Sequence, residues 1–165
     1  MFTSDYFGCI EKLWRKLGLG APQMSAQNTT TMSVDGALLT FANALDGAGV
    51  EVSVDIGVFS ESMPVRQQQI ESVLHANLAC LSRFDVLAML TSGDDGFDHL
   101  QLSVRFRGYT EQDKLVGLIE DLLSALTLYQ PLLGQSESGF PQASIWGADQ
   151  RSLADEIDGA MVFQL

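Results

Sequence analysis

Basic residues are scarce in this sequence: nine Lys and Arg stand against 21 Asp and Glu, a formal charge of −12. Such a surface repels phosphate backbones and anionic headgroups, which argues against nucleic acid and membrane partners and for a basic or neutral polypeptide. Cysteine is almost absent. Cys9 and Cys80 are far apart, with no CxxC pair and no histidine at ligand spacing, so both read as buried thiols in a reducing compartment. No apolar run approaches the roughly 20 residues of a bilayer span. The N-terminus lacks the basic-then-apolar order of a secretory signal, so a cytoplasmic protein is expected.

Catalytic motifs are missing too. There is no GxSxG, GxGxxG, P-loop or HExxH, and His75 and His99 lack a paired carboxylate motif. The segment "DDGFDH" (94–99) fits neither the glycine nor the glutamate register of an EF-hand loop. Its Asp and Gly content predicts a hairpin turn instead. The expectation is a protein that is not an enzyme, with no cofactor and no metal site.

What is present is apolar patterning. At 165 residues with 46% hydrophobic and 18% charged residues, the chain is sized for one folded domain plus a tail. Tyr6, Ile10, Leu13 and Leu17 recur at helical spacing over residues 4–18, with Phe7 and Trp14 on the flank and Gly18 and Gly20 as stop signals. The threonine run near Thr29–Met32 suits an edge strand. Asp35-Gly36 predicts a hairpin into "ALLTFANAL", and "DGAG" (46–49) a second turn. Then Val50, Val52, Val54, Ile56 and Val58 alternate with polar residues or glycine, the mark of a half-buried antiparallel strand. Residues 29–59 thus read as a three-stranded meander.

Pro64 suits a helix first turn, and Ile70, Val73, Leu74, Leu78 and Leu81 predict its core face. Ser72, Ala76 and Ala79 on its other side are small enough for close approach of a second helix. "FDVLAMLT" (84–91) places Phe84, Val86, Ala88 and Leu90 on one face and Leu87 and Met89 on the other. A strand apolar on both faces must be covered twice. Its partner strand, with Leu100, Leu102, Val104 and Phe106 inward, has one wet face. Thr110 and Asp113 resemble a capping box, Leu115, Leu118, Ile119, Leu122, Leu126 and Tyr129 a core stripe, and Pro131 a helix end. The fold class is α+β in the order α-β-β-β-α-β-β-α, a twisted antiparallel sheet flanked by helices. We place one domain at 1–133 and a linker and tail at 134–165, with Trp146, a short helix near Ser152 and Asp155, and an apolar cluster at Met161–Phe163.

This order, with "VLHANLACL" (73–81), "FDVLAMLTSGDDGFDHLQLSVRF" (84–106) and "LVGLIEDLLSALTLY" (115–129), resembles the class I effector chaperones of bacterial type III secretion, the Tir chaperone family. Ala76, Asn77 and Leu78 match the Ala-Asn-Leu core of that family's second helix, and the likeness covers roughly residues 4–131. Ser82-Arg83 departs from the family's usual glycine before the fourth strand, and the tail is longer than its minimal domain. The resemblance implies a homodimer through the second helix and adjacent strand, with Ser72, Ala76, Ala79, Leu87 and Met89 at the interface. That would be the second cover.

It further implies a cytoplasmic bacterial chaperone that holds the N-terminal segment of one or more effectors soluble and non-globular for export, with the export-apparatus ATPase a further partner. Strand addition and apolar grooves would supply the binding. The candidate partner-binding residues are Phe7, Trp14, Thr29, Thr30, Thr31, Met32, Leu38 and Phe59. Two alternatives stand beside it: an α+β ligand-binding or regulatory domain, and an adaptor docking to a secretion assembly through its tail.

Overall fold

The computed structural model describes residues 2–80, 83–93 and 95–134, with side chains from residue 5 onward. Leu81, Ser82, Asp94 and, of the tail expected at 134–165, everything from residue 135 on, with its short helix, Trp146 and Met161–Phe163, lie outside the described residues. The elements are α1 (Phe2–Lys16), β1 (Thr30–Val34), β2 (Ala37–Asn43), β3 (Gly49–Val58), α2 (Met63–Cys80), β4 (Leu87–Ser92), β5 (Asp98–Arg107) and α3 (Gln112–Leu133). The strands form one antiparallel sheet in the order β1-β2-β3-β5-β4, so β1 and β4 are its two edges. This is the α+β order expected from the sequence.

Local chemistry explains most of the boundaries. α1 ends in a Schellman motif: Leu19 N–H donates to the Trp14 carbonyl (2.9 Å), Gly18 N–H to that of Arg15 (3.2 Å), and Gly18 takes a positive φ of 70°. The helix therefore stops at Lys16, and Leu17, expected on its core face, is exposed. Asp35 and Gly36 both have positive φ (49° and 84°), the two-residue turn whose twist matches a hairpin. At α3 the capping box does not form. Glu111 is the N-cap without a side-chain cap bond, and Asp113 pairs with Lys16 instead. Pro131 lies inside the helix, which runs on to Leu133.

α3 is long and apolar enough to pass for a membrane span by length and composition, which corrects the expectation that no such run exists. It packs instead against β3 and β5, while α1 and α2 pack against it. Leu115, Ile119, Leu122, Leu126 and Tyr129 sink into a core with Leu39, Phe41, Val52, Leu100 and Leu102. Tyr6 Oη donates to the Phe41 carbonyl (2.9 Å), and Tyr129 Oη to Asn77 Oδ1 (2.7 Å), tying α1 to the sheet and α3 to α2. Burial pushes both phenols well above their ordinary pKa, so they remain donors.

Two departures from the expected patterning position the functional surfaces. A bulge between Asp55 and Gly57 inserts an extra residue into β3, with Gly57 N–H bonded to Asp55 Oδ1 (2.9 Å). Beyond it the alternation inverts, so Val58 is exposed and Phe59 is buried. On α2 the buried stripe is Gln69, Val73 and Cys80. Gln69 can occupy a core position because its Nε2 donates to the Leu133 carbonyl (3.0 Å) and its Oε1 accepts from Ser60 N–H (2.9 Å). At 3.6 residues per turn this swings Leu74 and Leu78 roughly 120–160° from the core direction. Both are exposed, against expectation.

Close backbone packing makes one glycine indispensable. A Cβ on Gly49 would lie 1.9 Å from the Phe106 carbonyl oxygen, across the β3–β5 pairing. Gly49→Ala should destabilise the fold by about 2 kcal/mol, read as a lower urea midpoint with an unchanged m-value.

Candidate partner-binding surfaces

The open face of the sheet and its two edges are the features available for recognition, since all three helices stack on the other face. Because β1 and β2 are joined by a two-residue turn, Val34 and Ala37 form a hydrogen-bonded pair. Counting back by twos, Met32 and Thr30 bond to β2, and Thr31 and Ser33 point their N–H and C=O groups away from the sheet. Thr29 is already engaged: its carbonyl accepts from Ser25 N–H (2.7 Å) and its N–H donates to Ser25 Oγ (3.2 Å). The free stretch of edge is therefore Thr31–Ser33.

The expected partner-binding residues separate into two groups. Phe7, Thr31 and Leu38 are exposed, Leu38 at 58%, and Thr29 is half-buried. Trp14, Thr30, Met32 and Phe59 are buried in the chain's own core. Trp14 stacks edge-on against Phe41 with ring centroids 5.1 Å apart, and Phe59 is turned inward by the bulge. Burial of Trp14 and Phe59 corrects their placement in a groove, while Thr30 and Met32, expected on the strand-addition edge, turn their side chains into the core.

The second edge carries the larger apolar area. After β4 the chain turns back, with Gly93 N–H donating to the Phe97 carbonyl (2.8 Å), Gly96 N–H to that of Gly93 (3.1 Å), and Gly96 at φ 82°. The same parity argument leaves the backbone groups of Ala88 and Leu90 pointing outward. Leu87 and Leu90 are 58% and 49% exposed on opposite faces of this strand. Leu87 and Met89 lie on the open face, since they pair with Ser103 and Gln101, and Ala88 and Leu90 on the helix face with Leu102 and Leu100. On α2, which touches β4, Leu74 and Leu78 are 55% and 70% exposed. Ser72 and Ala76 are half-buried, and Ala79 is exposed. A cleft of about 700 Å³ opens on this side, lined by Arg83, Phe84, Leu87, Met89, Glu51 and Arg105.

Leu74, Leu78 and Leu90 were not foreseen as surface residues. No local signal separates an exposed leucine from a buried one in an apolar helix, and the burial of Gln69 that turns them outward rests on contacts with Ser60 and Leu133. His75 is exposed on α2, and His99 sits between Asp55 and Asp95. Among the described residues no group of three His, Cys, Asp or Glu side chains is placed to hold a metal.

No family model and no curated protein matches this sequence. Solved structures do match. The chain is similar to a chain of the HopA1–SchA chaperone–effector complex, at 14% identity and TM-score 0.55, over 78% of this chain and 96% of that one. It is similar to a chain of the complex of the Yersinia pestis type III secretion chaperone SycH with a stable fragment of YscM2, at 16% and 0.55, over 75% and 98%. It is also similar to YbjN, a putative transcription regulator from E. coli, at 12% and 0.55, over 77% and 88%. At these identities the likeness speaks for the fold. This chain has the α+β fold of the class I type III secretion effector chaperones.

Proposed function

We propose that the protein is a type III secretion chaperone that binds the N-terminal segment of one or more effectors and keeps it soluble and non-globular until export. The observation that carries this is a chaperone-type sheet with two edges carrying unpaired backbone groups. One, at β4, adjoins the exposed leucines of α2 and suits a second copy of the chain. The other, at β1, is short and polar-faced, and suits an extended segment of a partner. Strand addition draws affinity from backbone groups, so it tolerates varied sequences, while exposed Leu38, opposite Ser33 on β2, and exposed Phe7 on α1 select apolar side chains.

In this reading residues 1–133 are the chaperone domain and the protein is a cytoplasmic, non-catalytic homodimer. The dimer interface combines Ser72, Ala76, Ala79, Leu87 and Met89 with Leu74 and Leu78. The charge of −12 favours encounter with basic effector segments, so association should slow as salt rises. Contact with the export ATPase would follow effector loading.

The test is to tag the chain in its own bacterium, identify what co-purifies, and delete the gene for the chain. Recovery of a secreted protein, held through its N-terminal region and no longer exported in the deletion strain, is the expected result. Export unaffected by the deletion would overturn the reading. The likeness to YbjN and the 700 Å³ cleft favour a second reading, a regulatory or ligand-binding domain. A monomer that binds a small molecule in that cleft would select it.

A further inference from the structure

Both ring nitrogens of His99 face carboxylates. Nδ1 lies 2.9 Å from Asp55 Oδ2, and Nε2 lies 3.0 and 3.2 Å from the two oxygens of Asp95. A carboxylate only accepts, and a neutral imidazole carries one N–H, so one of these contacts would set lone pair against lone pair. The doubly protonated ring alone satisfies both. Asp55 belongs to the β3 bulge and Asp95 to the β4–β5 turn, so the ring bridges two irregular segments of the open face.

We propose that His99 is a proton-operated latch, which as imidazolium clamps the β4–β5 turn to the β3 bulge and on deprotonation releases one of the two. The turn continues β4, the edge strand with the exposed leucines, so the latch controls how firmly that edge is held. The inference does not depend on the chaperone reading.

The surroundings are favourable. The hydrogen bond from Asp95, then that from Asp55, raises the His99 pKa above its ordinary value against a smaller opposing effect of burial. Asp95 is itself lowered, first by the Phe97 N–H and then by His99. The neighbouring Asp98 is engaged by Arg66 of α2 and by Ser92 of β4. Opposite His99 across the sheet stand Thr91 of β4 and Val58 of β3, neither of them charged. Asp94 lies outside the described residues.

With the folded-state pKa raised, the latch's contribution to stability is present in full below about pH 6.5, the unfolded histidine value. It is lost as pH rises through the folded value. Gly93 supplies an uncharged way to break the contact, since a Cβ there would meet Asp95 Oδ1 at 2.5 Å and His99 Nε2 at 2.6 Å.

The experiment is an NMR titration of the two histidine rings in the full chain, for the wild type, Asp55→Asn, Asp95→Asn and Gly93→Ala. The expected result is a His99 midpoint that falls in all three variants while the His75 midpoint stays in place. In parallel, the urea stability of wild type should exceed that of His99→Gln at about pH 6 and converge with it as pH rises through the wild-type midpoint. An unmoved His99 midpoint, or a stability difference independent of pH, would overturn the latch. Should Gly93→Ala not fold, the two Asn variants decide it.

Discussion

Leu78→Asp combined with Leu87→Asp should convert the proposed dimer of about 36 kDa into a folded monomer at the 17.9 kDa chain mass, measured by light scattering. Both leucines are exposed in the single chain, at 70% and 58%, so the substitutions leave the subunit's own core intact. In a two-fold interface each appears twice, and four carboxylates would enter a desolvated apolar contact. Burying even one unpaired charge costs several kcal/mol, so self-association should weaken by more than about a thousandfold. Leu45→Asp is the control: Leu45 is fully exposed in the β2–β3 turn, and its substitution should leave the mass unchanged. A wild-type monomer at micromolar concentration would remove the chaperone reading and leave the ligand-binding domain in front.

The choice of Leu78 shows where sequence patterning succeeded and where it stopped. Element order was legible because strands and helices announce themselves by period: Val50, Val52 and Val54 alternate, and Leu115, Ile119, Leu122 and Leu126 recur at helical spacing. Turns were legible wherever a positive φ was needed, as at Asp35-Gly36. The rotation of α2 was not. Its apolar residues cover so much of the circumference that the inward direction was decided by Gln69, a polar residue whose two long-range hydrogen bonds no local pattern reveals.

The same limit applies to the candidate sites. The two apolar faces of "FDVLAMLT" could be read from its pattern, and Leu87 is exposed in the single chain. The β3 bulge could not be read, because it depends on the side chain of Asp55 accepting from Gly57. One inserted residue moved Phe59 from the expected groove into the core. Likewise Trp14, on the flank of the helical stripe, was decided by the neighbour it found, Phe41 on β2. Tertiary contacts with distant residues overrode local period in each case.

Strand addition at β1 makes a prediction that separates the backbone of this edge from its side chains. Thr31 and Ser33 point their N–H groups to solvent, so Thr31→Pro with Ser33→Pro removes nothing from the chain's own ladder. Proline is tolerated on an edge strand in this orientation. A partner strand, however, would lose two donors, each worth about 1–1.5 kcal/mol, and would meet two rings on the edge it must approach. Binding of an effector segment should therefore fall by about a hundredfold, by calorimetry or anisotropy, with the dimer and the urea midpoint nearly unchanged. Met32→Pro provides the contrast, because its N–H belongs to the β1–β2 ladder and its side chain is buried; it should lower stability directly. If the edge double variant binds as tightly as wild type, partner segments do not add to β1. The recognition surface would then have to be sought in side-chain contacts around Phe7 and Leu38, or in the cleft beside β4.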